Sequence, residues 1–117
     1  MEQRKVNPWT WQDQFGFSQA VEVTGAARVL YCAGQTSTAA DGSTLHAGDM
    51  RAQAAAALDN LEAVLRKANM TLANVVRLNT YVTDVDRYLT EAAATLLGIS
   101  RLAFPDLLVE IEATAVA

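Results

Sequence analysis

From Asp49 to Asn69 the apolar residues recur every three or four positions: Met50, Ala54, Ala57, Leu58, Leu61, Leu65 and Ala68, with Arg51, Asp59, Glu62 and Arg66 on the remaining surface. Only an α-helix gathers that spacing into one stripe. The pattern predicts an amphipathic helix over 49–69, N-capped by Asp49, whose carboxylate can accept from first-turn amides. The alanine run favours helix by intrinsic propensity and lets it lie close on a neighbour. A helix apolar on one side must bury that side, and here the partner has to be a sheet.

The sheet is visible as period-two segments. In VEIEATAV, residues Glu110, Glu112 and Thr114 share one face while Val109, Ile111, Ala113 and Ala115 share the other, one acidic and one apolar. The acidic face either meets water or lines a cleft. QAVEVTGAARVLYCAGQ predicts strands over 19–24 and 28–33 joined at Thr24-Gly25-Ala26 as a β-hairpin. TSTAADGSTLHAGD then reads as a surface loop with an Asp41-Gly42 turn. VVRLNTYVT predicts a strand over 75–83, with Val76, Leu78, Thr80 and Val82 opposed to Arg77, Asn79 and Tyr81. Asp84 caps a second helical stretch, DVDRYLTEAAATLL. A turn at Pro105-Asp106 predicts a final hairpin that sets Arg101 opposite Glu110.

The order is β-β-α-β-α-β-β, an α+β sandwich with helices packed on one face of the sheet. Its other face is too polar for a core yet has apolar neighbours, which suits contact between subunits. At 117 residues the sequence predicts a single domain, 1–117.

Charge and cysteine usage narrow the function. The net charge is −4, and the nine Lys and Arg are scattered rather than gathered into a stripe, which disfavours nucleic acid as a partner. No apolar run of spanning length predicts a membrane segment, and no apolar run near Met1 predicts a secretory leader. One cysteine, Cys32, cannot form an internal disulfide and agrees with a reducing cytoplasm. With His46 the single histidine, no metal site is expected. Cys32 itself reads either as a nucleophile beside Gly34 or, more simply, as a small buried hydrophobe. Trp9 and Trp11 read first as packing of the N-terminal arm and second as pocket walls.

Three stretches carry a family resemblance: VLYCAGQT, AALDNLEAVLRKANMTLANVVRLNTYVTD and RLAFPDLLVEIEATAVA. Together, in this order, they resemble the RidA (YjgF) family of reactive-intermediate deaminases over about residues 15–89 and 95–117. The resemblance implies a chorismate-mutase-like fold and a homotrimer with ligand clefts between subunits. It also implies hydrolysis of an imine or enamine to a carbonyl compound and ammonia, with a small-molecule substrate and no cofactor. Glu110 matches the family glutamate that positions or activates the attacking water. Backbone amides near Cys32 and Ala33 would polarise the substrate, and Ala33 stands where a serine is common. Phe17 falls where many members have a tyrosine that closes over the ligand. Arg101 matches an arginine late in the family's hairpin and is a candidate ligand contact.

Two departures stand out. The family arginine that holds a substrate carboxylate would fall near Ala94, and AAATLLG contains no arginine. The stretch between Tyr88 and Thr95 is also shorter than the family pattern. The alternative to an imine hydrolase is therefore a trimeric binding protein of the same family without catalysis. Ribonuclease activity, attributed to some relatives, lacks an acid/base pair here, since His46 stands alone in its loop.

Overall fold

The computed structural model describes residues 1–91, 97, 98, 100 and 102–117. Its elements are β1 (Glu2–Val6), β2 (Ala20–Thr24), β3 (Val29–Gln35), α1 (Met50–Lys67), β4 (Val75–Val82), α2 (Val85–Glu91), β5 (Leu97–Gly98) and β6 (Val109–Val116), with a 3-10 turn at Trp11–Phe15. Among the described residues these make two sheets and two helices, a small α+β fold.

The periodic helix forms as its sequence dictates. Asp49 accepts a hydrogen bond from the Ala52 amide at 3.0 Å, and Arg66 and Lys67 stand in the last turn, where cations suit the helix dipole. Met50, Gln53, Ala57, Leu61 and Leu65 are buried. They meet Val109, Ile111, Ala113 and Ala115 of β6, and α2 adds Tyr88 to the same core. A leucine buried as fully as Leu61 or Leu65 contributes about 1.5–3 kcal/mol over its exposed state.

The four-stranded sheet runs β3-β6-β4-β5, with β6 antiparallel to both neighbours and β4 parallel to β5. The alternation expected along β6 is present, as is that of β4 from Leu78 to Val82; before it a β-bulge between Val75 and Arg77 sets Val75 against the core in the place expected for Val76. Val109, Ile111, Ala113 and Ala115 are buried, while Glu110, Glu112 and Thr114 are half-buried on the opposite face.

Strand pairing departs from expectation twice. The 20–33 segment is not a hairpin ladder: β2 pairs with β1, and β3 pairs with β6. Gly25 does make the turn, at φ 71°. Beyond it, however, the Ala27 and Arg28 amides both donate to the Ala117 carbonyl at 2.9 Å, so the last residue of β6's extension captures the second arm. The first arm is taken by β1, where Arg4 makes a two-pronged pair with Glu22, both contacts at 3.1 Å. EQRKV lacks an apolar alternation, which is why β1 escapes a pattern reading.

The C-terminal hairpin is the second correction. Val109 pairs with Val82 and Glu110 with Tyr81, so the described cross-strand partner of Glu110 belongs to β4. The Pro105-Asp106 turn exists, closed by Leu107 N–H donating to the Phe104 carbonyl at 3.1 Å, but it delivers β6 between β3 and β4. Arg101, the predicted partner, lies outside the described residues, as do Ala94 and the rest of 92–96. Among the described residues no helix is long and apolar enough to cross a membrane.

Candidate functional site

The helix-free face of the sheet is built from alternate residues of β3, β6 and β4. Two polar side chains of α1 hold this framework from behind. Gln53, fully buried, donates to the carbonyls of His46 (3.2 Å) and Asp106 (2.8 Å) and accepts from the Leu108 amide (2.9 Å), which anchors the entry to β6. Asn60 donates to the carbonyls of Thr36 (2.8 Å) and Thr38 (2.9 Å), which anchors the exit from β3. The strands carrying Glu110 and Gly34 are thus tied to one rigid helix.

Between Cys32 and Gln35 the β3–β6 register slips: Cys32 pairs with Ala113 and Gln35 with Ile111, leaving Ala33 and Gly34 opposite Glu112 alone. This is a β-bulge, a device that re-aims side chains. Its consequence is a close approach by Glu110. A Cβ at position 34 would fall 2.1 Å from Glu110 Oε1 and 2.4 Å from its carboxyl carbon, so the carboxylate lies across bare backbone that only glycine leaves open. Among the described residues no hydrogen-bond donor reaches that carboxylate.

Two residues along β6, Glu112 has a different environment. Its Oε1 accepts from Asn79 Nδ2 at 2.8 Å and from the Tyr81 hydroxyl at 2.9 Å. The Asn79 bond, then the Tyr81 bond, with the Arg77 charge adding to them, hold its carboxyl below the usual carboxylate range. Donation to Glu112 correspondingly pushes the Tyr81 phenol up, with the Glu110 charge contributing in the same direction. A cleft of about 160 Å³ opens beside this cluster, walled by Tyr31, Arg77, Asn79, Glu112 and Thr114.

Of the residues singled out in the sequence, Glu110, Ala33 and the Cys32 backbone come together at the bulge. The Cys32 side chain does not join them; it is 8% exposed and packs in the helix-side core, and burial pushes its thiol up. The reading as a small buried hydrophobe therefore describes that side chain. Phe17 stands elsewhere in the same subunit, edge-on to Trp11 with ring centroids 5.7 Å apart, lining a separate cleft with Lys5, Asn7 and Asp13. Trp9 and Trp11 are exposed. Among the described residues no group of three His, Cys, Asp or Glu could hold a metal ion. Sequence reasoning placed Asn79 and Tyr81 on this face but not their grip on Glu112, which depends on β4 lying beside β6.

The two sheets and two helices make a small α+β frame of a recognisable class. A family model described as endoribonuclease L-PSP matches residues 12–117, and the protein belongs to this YjgF/RidA family. Among solved structures it is similar to YyfB, a Rid-family protein of unknown function from Yersinia pestis. The two share 40% identity over 100% of both chains, with a TM-score of 0.86. It is similar also to Rv2704 of Mycobacterium tuberculosis, a YjgF/YER057c/UK114 family member, with 30% identity over 99% of this chain and 100% of that one, TM-score 0.63. Yeast Mmf1, 20% identical over 98% of each chain at a TM-score of 0.65, shares the fold. A search of curated proteins finds no match.

Proposed function

We propose that the protein hydrolyses reactive imine or enamine intermediates to a carbonyl compound and ammonia, in clefts between the subunits of a homotrimer. The observation that carries this reading is Glu110: a half-buried carboxylate laid over Gly34, beside the backbone of the β3 bulge and without a donor among the described residues. A carboxylate so placed can take a proton from water as the oxygen adds to the C=N carbon. For a protonated imine, returning that proton to nitrogen makes the leaving group an ammonium, and taking up the adduct's hydroxyl proton as the C–N bond breaks leaves C=O and ammonia; an enamine first gains a proton at carbon. Family membership supports the same assignment. Backbone amides at Cys32 and Ala33 are assigned to the substrate nitrogen or its neighbour, Arg101 to a ligand contact, and Phe17 to the ligand wall of the assembled clefts.

The sequence has no Arg or Lys between Arg87 and Arg101. A bidentate carboxylate clamp at the family position is therefore missing, and the preferred substrates are imines without a carboxylate next to the reacting carbon. Loss of such a charge-assisted contact costs about 1.5–3 kcal/mol of binding. The same feature favours a second reading, a binding protein of this family that does not turn over.

Ammonia release from imines generated in place, by amine or amino-acid oxidation, tests the proposal. Release that scales with protein supports hydrolysis, with imines of simple amines outpacing imino acids; none from any imine leaves the binding reading. Ribonuclease chemistry draws no support from this face, whose described carboxylates would repel phosphate, nor from the chain's single histidine, His46, which lies in the loop before α1.

A further inference from the structure

Glycine at position 34 leaves room for the Glu110 carboxylate, and it also leaves the backbone there loosely determined. Ala33 and Gly34 lie in the register slip of β3, between Cys32, which pairs with Ala113, and Gln35, which pairs with Ile111. The peptide joining them stands outside the regular ladder, and turning it over changes only ψ of Ala33 and φ of Gly34. Glycine accepts either sign of φ at little cost, so local sterics do not choose the orientation. A trans peptide is planar, and its carbonyl and N–H point opposite ways. Turning this one would exchange the Ala33 carbonyl for the Gly34 N–H on each side and reverse the dipole next to Glu110. Among the described residues, the side chain that holds the unit is the half-buried Gln35, whose Nε2 donates to the Ala33 carbonyl at 3.2 Å. Immediately beyond it Asn60 takes over, donating to the carbonyls of Thr36 and Thr38.

We infer that Gln35 is a positioning residue: it fixes the 33–34 peptide in one orientation beside Glu110, and so keeps the carboxylate and its water in the geometry for proton transfer. It acts through the backbone and not on the substrate. An amide nitrogen donates and does not accept, so it selects the orientation that turns the carbonyl toward it. A hydrogen bond of this kind biases a two-way choice about two- to tenfold. The bond lies within one subunit and needs no surface from a neighbour. Its catalytic consequence rests on the hydrolase reading, whereas the hold on the peptide does not.

Glycine-selective isotope labelling of the native assembly reads the Gly34 amide by NMR, alongside ammonia release from a freshly generated imine. The decisive variant is Gln35→Glu, which keeps the shape and replaces the donor with an ionised acceptor, so that the peptide turns to offer the Gly34 N–H. Its Gly34 signal is expected to move downfield, with kcat about tenfold lower and KM within about twofold of the wild type. Gln35→Met, without a polar head, should shift or broaden the same signal and lose about two- to threefold in kcat. Gln35→Lys supplies a donor again and should recover most of that loss. A Gly34 signal at its wild-type position in Gln35→Glu, or in Gln35→Met should the first variant not assemble, overturns the hold. A moved signal with kcat unchanged overturns the positioning role, as does a Gln35→Lys rate no better than that of Gln35→Met. A wild type that releases no ammonia removes the hydrolase reading and the role in catalysis with it, while a moved Gly34 signal still upholds the hold.

Discussion

Glu110 and Glu112 are the same residue type on the same strand face, and their neighbours give them different surroundings. Asn79 and Tyr81 saturate one oxygen of Glu112, whereas Glu110 lies over Gly34 with no described donor. Gly34→Ala should therefore push the Glu110 carboxyl aside at little cost to folding, since the obstructed group is the end of a flexible side chain. Imine hydrolysis is expected to fall about a hundredfold with thermal stability nearly unchanged; retained turnover would break the link between the bulge and Glu110. Glu112 has a lowered folded-state pKa, so its contribution to stability is present at neutral pH. It is lost as pH falls from the ordinary carboxylate range through that lowered value. Urea midpoints of wild type and Glu112→Gln should differ most near neutrality and converge on acidification, and a constant gap would exclude this linkage. Cys32, buried with its thiol pushed up, should resist alkylation until the protein is unfolded in urea.

At the scale of elements, α1 does two jobs: its apolar stripe makes the core and its Gln53 and Asn60 tether the strands of the site. Gln53→Leu removes three hydrogen bonds at once and leaves the Leu108 amide and the Asp106 carbonyl without that partner. A loss of about 3 kcal/mol in urea unfolding is expected, and a change below about 0.5 kcal/mol would show the tether to be idle. These tethers also mark where sequence reading stops. The stripe of α1 and the alternation of β6 are local periodicities, and both were legible residue by residue. Which strand lies beside which is a long-range choice, and a turn such as Thr24-Gly25-Ala26 does not decide it. The Ala117 carbonyl and the Arg4–Glu22 pair draw the two arms of that turn apart. The role of Gln53 is not visible in the sequence, because Asp106 and Leu108 lie far along it. Glu110 and Glu112 could be assigned to one face, but their difference required knowing that β4 flanks β6.

For the molecule as a whole, the helix-free sheet face presents Val29 and a nearly bare Tyr31 around the two carboxylates. Exposed apolar residues rimmed by charge suit subunit contact. Sedimentation equilibrium is expected to give a trimer, and a monomer at micromolar protein would contradict clefts formed between subunits. The central claim is that Glu110 turns over imines on this frame. Its most direct test is ammonia release by wild type and Glu110→Gln, each shown to be folded and equally assembled, on the same freshly generated imine. The account predicts release by the wild type and a rate in the variant indistinguishable from buffer; equal rates in the two proteins would contradict it.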